Sequence, residues 1–479
     1  MARHSCLPQT VASVLSQIDV FADVLNGDVP ITGITQDSRD VQPGDLYCCI
    51  RGERFDGHSF VEQAISSGAV ALLVDQDLST VPPHISVIRV NDVREFVGRF
   101  AAALFCYPSR SLKMVGVTGT NGKTTTTAMI ASILEASGQR VQQMGTLTGV
   151  RTTPEAIDIQ AQLRTWVNDG VQCVVMEVSS HALVQHRVNG IVFDVSVFTN
   201  IARDHLDFHG TEEAYFAAKA MLFSEDLSRC GVVNTDDPKG LLLKDAMAIP
   251  MVEFSVSDAR NILMSVDHVS FEWRGAQVWV PMGGSFTVMN SLAAATAAEA
   301  LGLDINVIAA GLRRLNGVPG RFESVPSSCG FDVIVDYAHT PDGLSLLLNS
   351  VREICTGRVI VVFGCGGNRD SGKRPLMGQI AAQLADVVFV TSDNPRNEQP
   401  EAIIDDICGG ISPSEVTVSR VVERAKAIES AISEARRDDI VVIAGKGHEA
   451  TQEISGVFHP FSDVEVAQKF LNLRKETTE

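Results

Sequence analysis

A lysine set between a glycine turn and a row of hydroxyls is suited to meeting polyphosphate. Here the stretch is GTNGKTTTT (119–127), entered from the apolar run KMVGVT (113–118). Strand, glycine-rich turn and helix start together aim backbone N–H groups and a helix N-terminus at phosphate oxygens. Lys123 would then meet the β- and γ-phosphates, and the Thr124 or Thr125 hydroxyl would help hold Mg²⁺. The strict phosphate-loop pattern asks for glycine at position 117, which is valine; Gly119, Gly122, the lysine and the threonines remain. The bland alternative is a glycine turn that only opens a structural helix. By itself the loop does not separate a kinase, a motor ATPase or a ligase.

Other reactive side chains gather where apolar runs end. VVMEV is followed by SSHALVQHRV (179–188), and VSVFTN by IARDHLDFHG (201–210), so Glu177, Ser179, His181, Arg187, Asp204, His205 and Asp207 fall at strand ends. Ligands of open parallel sheets bind at such carboxyl ends. Glu177 closes an apolar strand, where an unpaired carboxylate is costly; a divalent cation, with His205 as another ligand, would remove that cost. Solvated surface loops are the alternative. Lys219 shares a helix with Phe216, Met221, Leu222 and Phe223, a setting that suggests partial burial, and from spacing alone such a lysine snorkels to water. A third polar knot, TSDNPRNEQP (391–400), crowds Asp393, Asn394, Arg396 and Glu398 around Pro395.

These residues need parallel strands to bring them to one edge. The strand candidates are 113–118, 171–178, 192–199, 331–336, 358–364, 386–392 and 439–445, separated by helical stretches such as TTTTAMIASILEASG, which Gly138 would stop, and SRVVERAKAIESAISEARR. Near-continuous Val/Ile runs alternating with helices predict parallel sheets covered on both faces. Residues 1–106 differ: short strand-like pieces, turn signals and the polar stretch RGERFDGHSF suggest a smaller α/β module. Punctuated stretches at CYPSRS (106–111) and NGVPGRFESVPSSCG (316–330) divide the chain into three domains, 1–108, 109–325 and 326–479.

The 479-residue length fits three domains at roughly 150 residues each. With 58 acidic and 39 Lys/Arg residues the net charge is −19, a poor basis for nonspecific nucleic-acid binding. An anionic ligand must therefore be held by local basic positions. No apolar run is long enough for a membrane span or a signal peptide, and ten scattered cysteines without a CxxC pair read as reduced core residues. A cytoplasmic monomer without nucleic-acid partners or membrane insertion is the expectation.

GTNGKTT, EVSSHALVQHR, ARDHLDFHG with AAKAMLF, NSLAAATAAEALG, GRFE, DYAHTPDGL, FGCGGNRDSGKRP, DNPRNE and GKGHE occur in this order. Together they resemble the Mur ligase family, and within it the branch that adds the third residue of the peptidoglycan stem peptide. The resemblance implies three α/β domains: a small N-terminal one for the uridine diphosphate, a central P-loop type domain with a parallel sheet for ATP, and a C-terminal Rossmann-like one for the amino acid. It also implies the reaction. ATP phosphorylates the D-glutamate side-chain carboxylate of UDP-MurNAc-L-Ala-D-Glu, and the amine of the incoming amino acid displaces phosphate from the acyl phosphate.

Carried over by resemblance, Gly119, Thr120, Asn121, Gly122, Lys123, Thr124 and Thr125 cradle ATP, with Asn290 and Arg321 at base and phosphates and Asp336, Tyr337 and His339 near the ribose and hinge. Lys123, Glu177, His205 and Lys219 are the implied catalytic set. Thr124, Glu177, His205 and Lys219, the last as its carbamate (N6-carboxylysine), are the implied Mg²⁺ ligands. Ser38, Thr152, Thr153, Ser179, Gln185 and Arg187 resemble contacts to the UDP-muramoyl dipeptide, and a forked guanidinium such as Arg187 suits carboxylate or phosphate oxygens. The pattern departs at Arg151, where relatives often have asparagine, and the loop GERFDGHSF is only loosely similar.

The third substrate is meso-diaminopimelate or L-lysine. A far carboxylate needs a cation, and the resemblance puts Arg396 there, with Asp393 and Asn394 on the polar head, a stiff Pro395, and Arg369, Gly445 and Glu449 from neighbouring strand ends. A site built to bond those groups rejects an analogue lacking them, because its own polar groups go unpaired. Two other readings stand beside this one. Folylpolyglutamate synthetase shares the loop but lacks an N-terminal UDP-sugar domain, and a motor ATPase would want a Walker-B aspartate where Glu177 stands.

Overall fold

The computed structural model describes residues 3–19, 21–52, 55–149, 151–412 and 416–478. Glu53 and Arg54 of the polar stretch RGERFDGHSF lie outside the described residues.

All seven expected strands form, as Lys113–Thr118, Cys173–Glu177, Val195–Phe198, Asp332–Asp336, Val359–Phe363, Val387–Val390 and Ile440–Ala444. The central sheet runs in the order Met251–Phe254, Gly231–Asn234, Val195–Phe198, Lys113–Thr118, Cys173–Glu177, Val141–Met144, every neighbouring pair parallel. Parallel pairing is what aligns the polar ends: Thr118, Glu177 and Phe198 finish on one edge, so the loops after them share a space. Val115, Val117, Val175 and Val197 are fully buried, as strands covered on both faces require.

The C-terminal sheet runs Glu323–Val325, Asp332–Asp336, Ile440–Ala444, Val359–Phe363, Val387–Val390, Thr417–Arg420. It is parallel apart from its first pair. Its first strand comes from the punctuated stretch 316–330. The N-terminal sheet has four parallel inner strands, Pro30–Thr35, Asp45–Cys48, Ala71–Val74 and Ser86–Arg89, with antiparallel His4–Thr10 and Asp23–Leu25 at its edges. Three mixed α/β units with largely parallel sheets agree with the expected fold class.

The helix after the phosphate loop, Lys123–Ala136, ends before Gly138, whose φ of +85° suits a helix stop. SRVVERAKAIESAISEARR is not one helix: Thr417–Arg420 is a strand and the helix is Arg424–Glu434. Two hairpins with two-residue turns were not anticipated, nor was the antiparallel pairing of Arg260–Met264 with Val269–Trp273 beside the first. Val269–Trp273 turns into Ala276–Val280 through Arg274 and Gly275, and Thr451–Ile454 into Val457–Pro460 through Ser455 and Gly456. All four turn residues have positive φ, between +50° and +80°, the two-residue turn that glycine at the second place permits. Arginine and serine at the first place, where asparagine would have advertised the turn, kept both hairpins hidden.

Candidate active site

Gly119 and Gly122 give the phosphate loop its shape. Gly119 has φ +151° and Gly122 φ +86°, and a Cβ on them would run into Thr199 Oγ1 and Asn290 Oδ1 respectively. The loop is locked from the next strand end. Thr199 Oγ1 donates to Asn121 O at 2.6 Å, Asn200 exchanges bonds with Asn121, and Ala202 N donates to Thr120 Oγ1 at 3.0 Å. Lys123 folds back so that Nζ donates to Gly119 O and Thr120 O at 2.9 and 2.8 Å, and burial draws its pKa below the ordinary lysine value. Thr124 and Thr125 are buried, and Thr126 Oγ1 donates to Asn290 Oδ1 at 3.4 Å.

Glu177 is buried but not unpaired. Thr124 Oγ1 donates to Oε2 at 3.0 Å, Thr146 Oγ1 to Oε2 at 3.2 Å and Thr146 N to Oε1 at 2.8 Å. These three donors satisfy the carboxylate, so its burial does not by itself require a cation, contrary to the expectation from its place at a strand end. Lys219 also departs from expectation. It does not reach water: it is 1% exposed, donates to Gly119 O at 2.7 Å and lies 4.5 Å from the centre of the Tyr215 ring. Burial first, then the charge of Lys123, holds its pKa well below the usual 10.5, which favours the neutral amine.

His205 has φ +53° and sits 3.4 Å from Asp204 Oδ2 and 4.7 Å, ring to ring, from His181. Burial lowers the pKa of both imidazoles. Thus the structure joins Thr124 to Glu177 and Lys219 to the loop carbonyl, while His205 turns to Asp204. Among the described residues no three His, Cys, Asp or Glu side chains gather as a metal cluster. The Thr124 hydroxyl beside the Glu177 carboxylate is nonetheless the hard oxygen pair that Mg²⁺ accepts.

The linker from the central to the C-terminal sheet reaches over this loop. Arg321 Nη2 donates to Thr124 Oγ1 at 3.2 Å and its guanidinium lies 4.5 Å from the Tyr337 ring centre. Asp336 takes N–H bonds from Phe322 and Ala338 at 2.7 and 2.8 Å, with burial pushing its pKa up. His339 follows, its ring 4.6 Å from that of Tyr337.

On the other side, Thr153 Oγ1 donates to Glu177 O at 2.9 Å and accepts from Ser179 N at 3.0 Å. Thr152 Oγ1 is 3.1 Å from Thr146 Oγ1. Arg187 binds Thr153 O at 3.0 Å, Gln185 Oε1 at 2.6 Å and Glu155 Oε1 at 2.9 Å, and Arg151 pairs with the same Glu155. Ser38 bonds Gln63 at 3.2 Å in the N-terminal unit.

The DNPR loop leaves the strand Val387–Val390. Asp393 is buried, and Asn394 Nδ2 donates to Glu449 Oε2 at 2.8 Å. Arg396 donates from Nε to Glu453 Oε2 at 3.1 Å and from Nη1 to Gly367 O at 2.7 Å. Its backbone, at φ +52°, bridges to the unanticipated hairpin: Arg396 N donates to Glu453 O at 3.1 Å and Ser455 N to Arg396 O at 2.7 Å. That hairpin, in addition to Pro395, aims the arginine. Gly445 turns at φ +113°, and a Cβ there would come 2.8 Å from Asp393 Oδ2. Glu398 faces away, onto Arg374 and Asn368 N.

One cavity of about 2090 Å³ joins these parts. Ser38, Thr152, Thr153, Ser179, Gln185, Arg187, His205, His339, Arg369, Asp393, Asn394, Arg396, Gly445 and Glu449 line it. The phosphate loop lies outside that lining, linked to Thr146 of the lining through Glu177 Oε2, which accepts from both Thr124 and Thr146. Arginines 39, 94, 151, 187, 203, 369 and 396 face the cavity; with Lys373 they balance the eight Asp and Glu residues of its lining, so the excess acidity of the chain is absent there. Sequence reasoning missed Thr146, Thr199, Asn200, Lys446 and Glu453. Lys446 stood inside the quoted motif GKGHE; the others have no local signal, because their partners are distant in sequence.

Three family models match in order: Mur ligase family, catalytic domain, over residues 30–104; Mur ligase middle domain over 117–298; and Mur ligase, glutamate ligase domain, over 320–447. A UDP-N-acetylmuramoyl-L-alanyl-D-glutamate–2,6-diaminopimelate ligase of Gloeobacter violaceus is 46% identical over 469 residues, covering 94% of this chain and 95% of its own. A solved structure of the same enzyme name is 34% identical with a TM-score of 0.67, covering 93% of this chain and 96% of its own. The MurF ligase of Thermotoga maritima, solved in complex with ADP, has a TM-score of 0.64 over 93% of this chain and 98% of its own; at 18% identity the likeness is one of fold. Identity at that level across almost the full length of both chains, over a fold of three α/β units around one cleft, means that this chain belongs to the Mur ligase family.

Proposed function

We propose that this Mur ligase is an ATP-dependent amide ligase that joins meso-diaminopimelate to the D-glutamate γ-carboxylate of UDP-MurNAc-L-Ala-D-Glu, as a cytoplasmic monomer with units near 1–108, 109–325 and 326–479. The observation that carries the reading is the single cavity running from Ser38, past Thr152 and Arg187, to Arg369, Arg396 and Glu449. A long anionic nucleotide-sugar peptide at one end and a charged amino acid at the other need such a channel, with the reacting carboxylate between them.

In this reading the Lys123 ammonium exchanges its two loop carbonyls for phosphate oxygens, and the loop N–H groups hold the rest of the triphosphate. Arg321 lies over Thr124 and offers positive charge from the C-terminal side. Mg²⁺ would be held by the Thr124 hydroxyl and Glu177, with His205 and a carbamate on Lys219 as further ligands. Bound there, it would screen the negative charge that accumulates during phosphoryl transfer. Burial lowers the pKa of the Lys219 amine and so favours the nucleophilic form that carbamate formation requires. Arg187 orients the acidic end of the peptide. The γ-phosphoryl passes to the glutamate side-chain carboxylate with ADP as the other product, and the diaminopimelate amine then displaces phosphate to leave the amide.

The test is phosphate release by the purified protein with ATP and Mg²⁺. Release that requires both the UDP-muramoyl dipeptide and meso-diaminopimelate is the expected result. ATP turnover without either substrate sinks the ligase reading, and equal rates with L-lysine sink the choice of amino acid.

A further inference from the structure

Resting on that reading, we infer that Lys446 is a positioning residue for the incoming amino acid, acting through Asn394 and Glu449. Lys446 follows the turn at Gly445 and has no exposed surface, an unusual place for an ammonium group. Its Nζ donates to Asn394 Oδ1 at 3.0 Å and to Glu449 Oε2 at 2.8 Å. Both partners line the cavity, whereas Lys446 does not. It stands one layer behind the surface that the substrate would touch.

Two consequences follow from donor and acceptor roles. Asn394 Oδ1 accepts from Lys446 Nζ and from Glu453 N at 2.9 Å, and both are obligate donors. The amide therefore has one tolerable orientation, with Nδ2 donating to Glu449 Oε2 at 2.8 Å. Glu449 in turn takes both of these bonds on Oε2, so its other oxygen, Oε1, is the one left for a substrate ammonium. The same lysine offsets part of the Glu449 charge at a cavity wall that Asp393 also lines. An amino acid with a carboxylate and an ammonium on its head then meets a fixed alternation of acceptor and donor, and Lys446 sets that alternation without contact.

The experiment is steady-state phosphate release by the full-length protein with Lys446→Met, Asn394→Ala and the double variant, each with diaminopimelate and ATP varied separately. The expected result for K446M is a KM for diaminopimelate at least tenfold higher and a KM for ATP within twofold of the unmutated protein. In the double variant the two effects are not multiplied, because both act on one network. Lys446→Gln, which keeps a donor for Asn394 Oδ1, recovers part of the loss and serves in place of K446M if the latter does not fold. An unaltered diaminopimelate KM, multiplied effects, or a parallel rise in the ATP KM overturns the inference. An unmutated protein that releases no phosphate with diaminopimelate overturns the functional reading, and this inference with it.

Discussion

Replacing Arg396 by alanine should remove use of diaminopimelate while sparing the nucleotide. Arg396 Nε and Nη1 are occupied by Glu453 Oε2 at 3.1 Å and Gly367 O at 2.7 Å. Among the described residues Nη2 has no protein partner, and the guanidinium, 25% exposed, borders the cavity. A substrate carboxylate would meet that free edge. Charge-assisted hydrogen bonds contribute about 1.5–3 kcal/mol each, so two of them amount to about 3–6 kcal/mol. At about 1.4 kcal/mol per decade this is a fall of about 10²- to 10⁴-fold in kcat/KM for diaminopimelate. The backbone confounds little: alanine inherits the same φ of +52°, and the two main-chain bonds to Glu453 and Ser455 do not depend on the side chain. Glu453 loses a partner in R396A, but at 24% exposure it can be hydrated instead. Glu453→Gln serves as the control, with a fall of less than about tenfold expected from one weakened bond. The assay is phosphate release at varied diaminopimelate with saturating ATP, then the converse. If R396A keeps kcat/KM within tenfold of the unmutated enzyme, or loses ATP affinity in parallel, the guanidinium does not bind the distal carboxylate.

Lys123→Met should lower turnover by at least ~10²-fold, the scale of a lost positioned charge, and weaken ATP binding in calorimetry; unchanged ATP affinity would contradict the phosphate-loop reading. Arg424 and Asp463 are both fully buried and paired at 2.7 Å, and Arg424 also donates to Ala444 O at 2.9 Å, one residue before Gly445 of the cavity lining. Arg424→Met alone should destabilise the C-terminal unit by about 3–5 kcal/mol, whereas Arg424→Met with Asp463→Leu should recover most of that, as urea melts would show. Asp37 is held at about 2, first by the side-chain bond from Arg39, so its stabilising contribution is complete above the unfolded value of 3.8 and is lost as pH falls through 2. Arg39 is largely exposed, so Asp37→Asn should cost less than about 1 kcal/mol at pH 7, and the difference between the two proteins should shrink between pH 4 and pH 2.

How much of this could be read from residues alone depended on the range of the interactions. The phosphate loop was legible because glycine, lysine and threonine act within one turn of chain, and the seven Val/Ile runs were legible because burial on both faces leaves an uninterrupted apolar pattern. The motifs of the Mur ligase family likewise survive as local strings. The two hairpins were not legible, since their turns use Arg274–Gly275 and Ser455–Gly456 rather than the asparagine that signals such turns.

The linear order also could not assign partners. Glu177 looked like an exposed cost, yet parallel pairing of Cys173–Glu177 with Val141–Met144 brings Thr146 to it, and the helix Lys123–Ala136 supplies Thr124. Helical spacing had Lys219 snorkelling from an apolar helix, whereas packing buries it against Tyr215 and Gly119 O. Arg396 was credited to a stiff proline, but a hairpin some fifty residues downstream fixes its backbone and its carboxylate partner. Sequence determined which chemical groups this protein owns and which short turns they occupy, because those are set by neighbours along the chain. Only the tertiary structure decided which of them are buried, which are already paired and which remain free toward the cavity, because desolvation and hydrogen bonding depend on contacts that no linear spacing specifies.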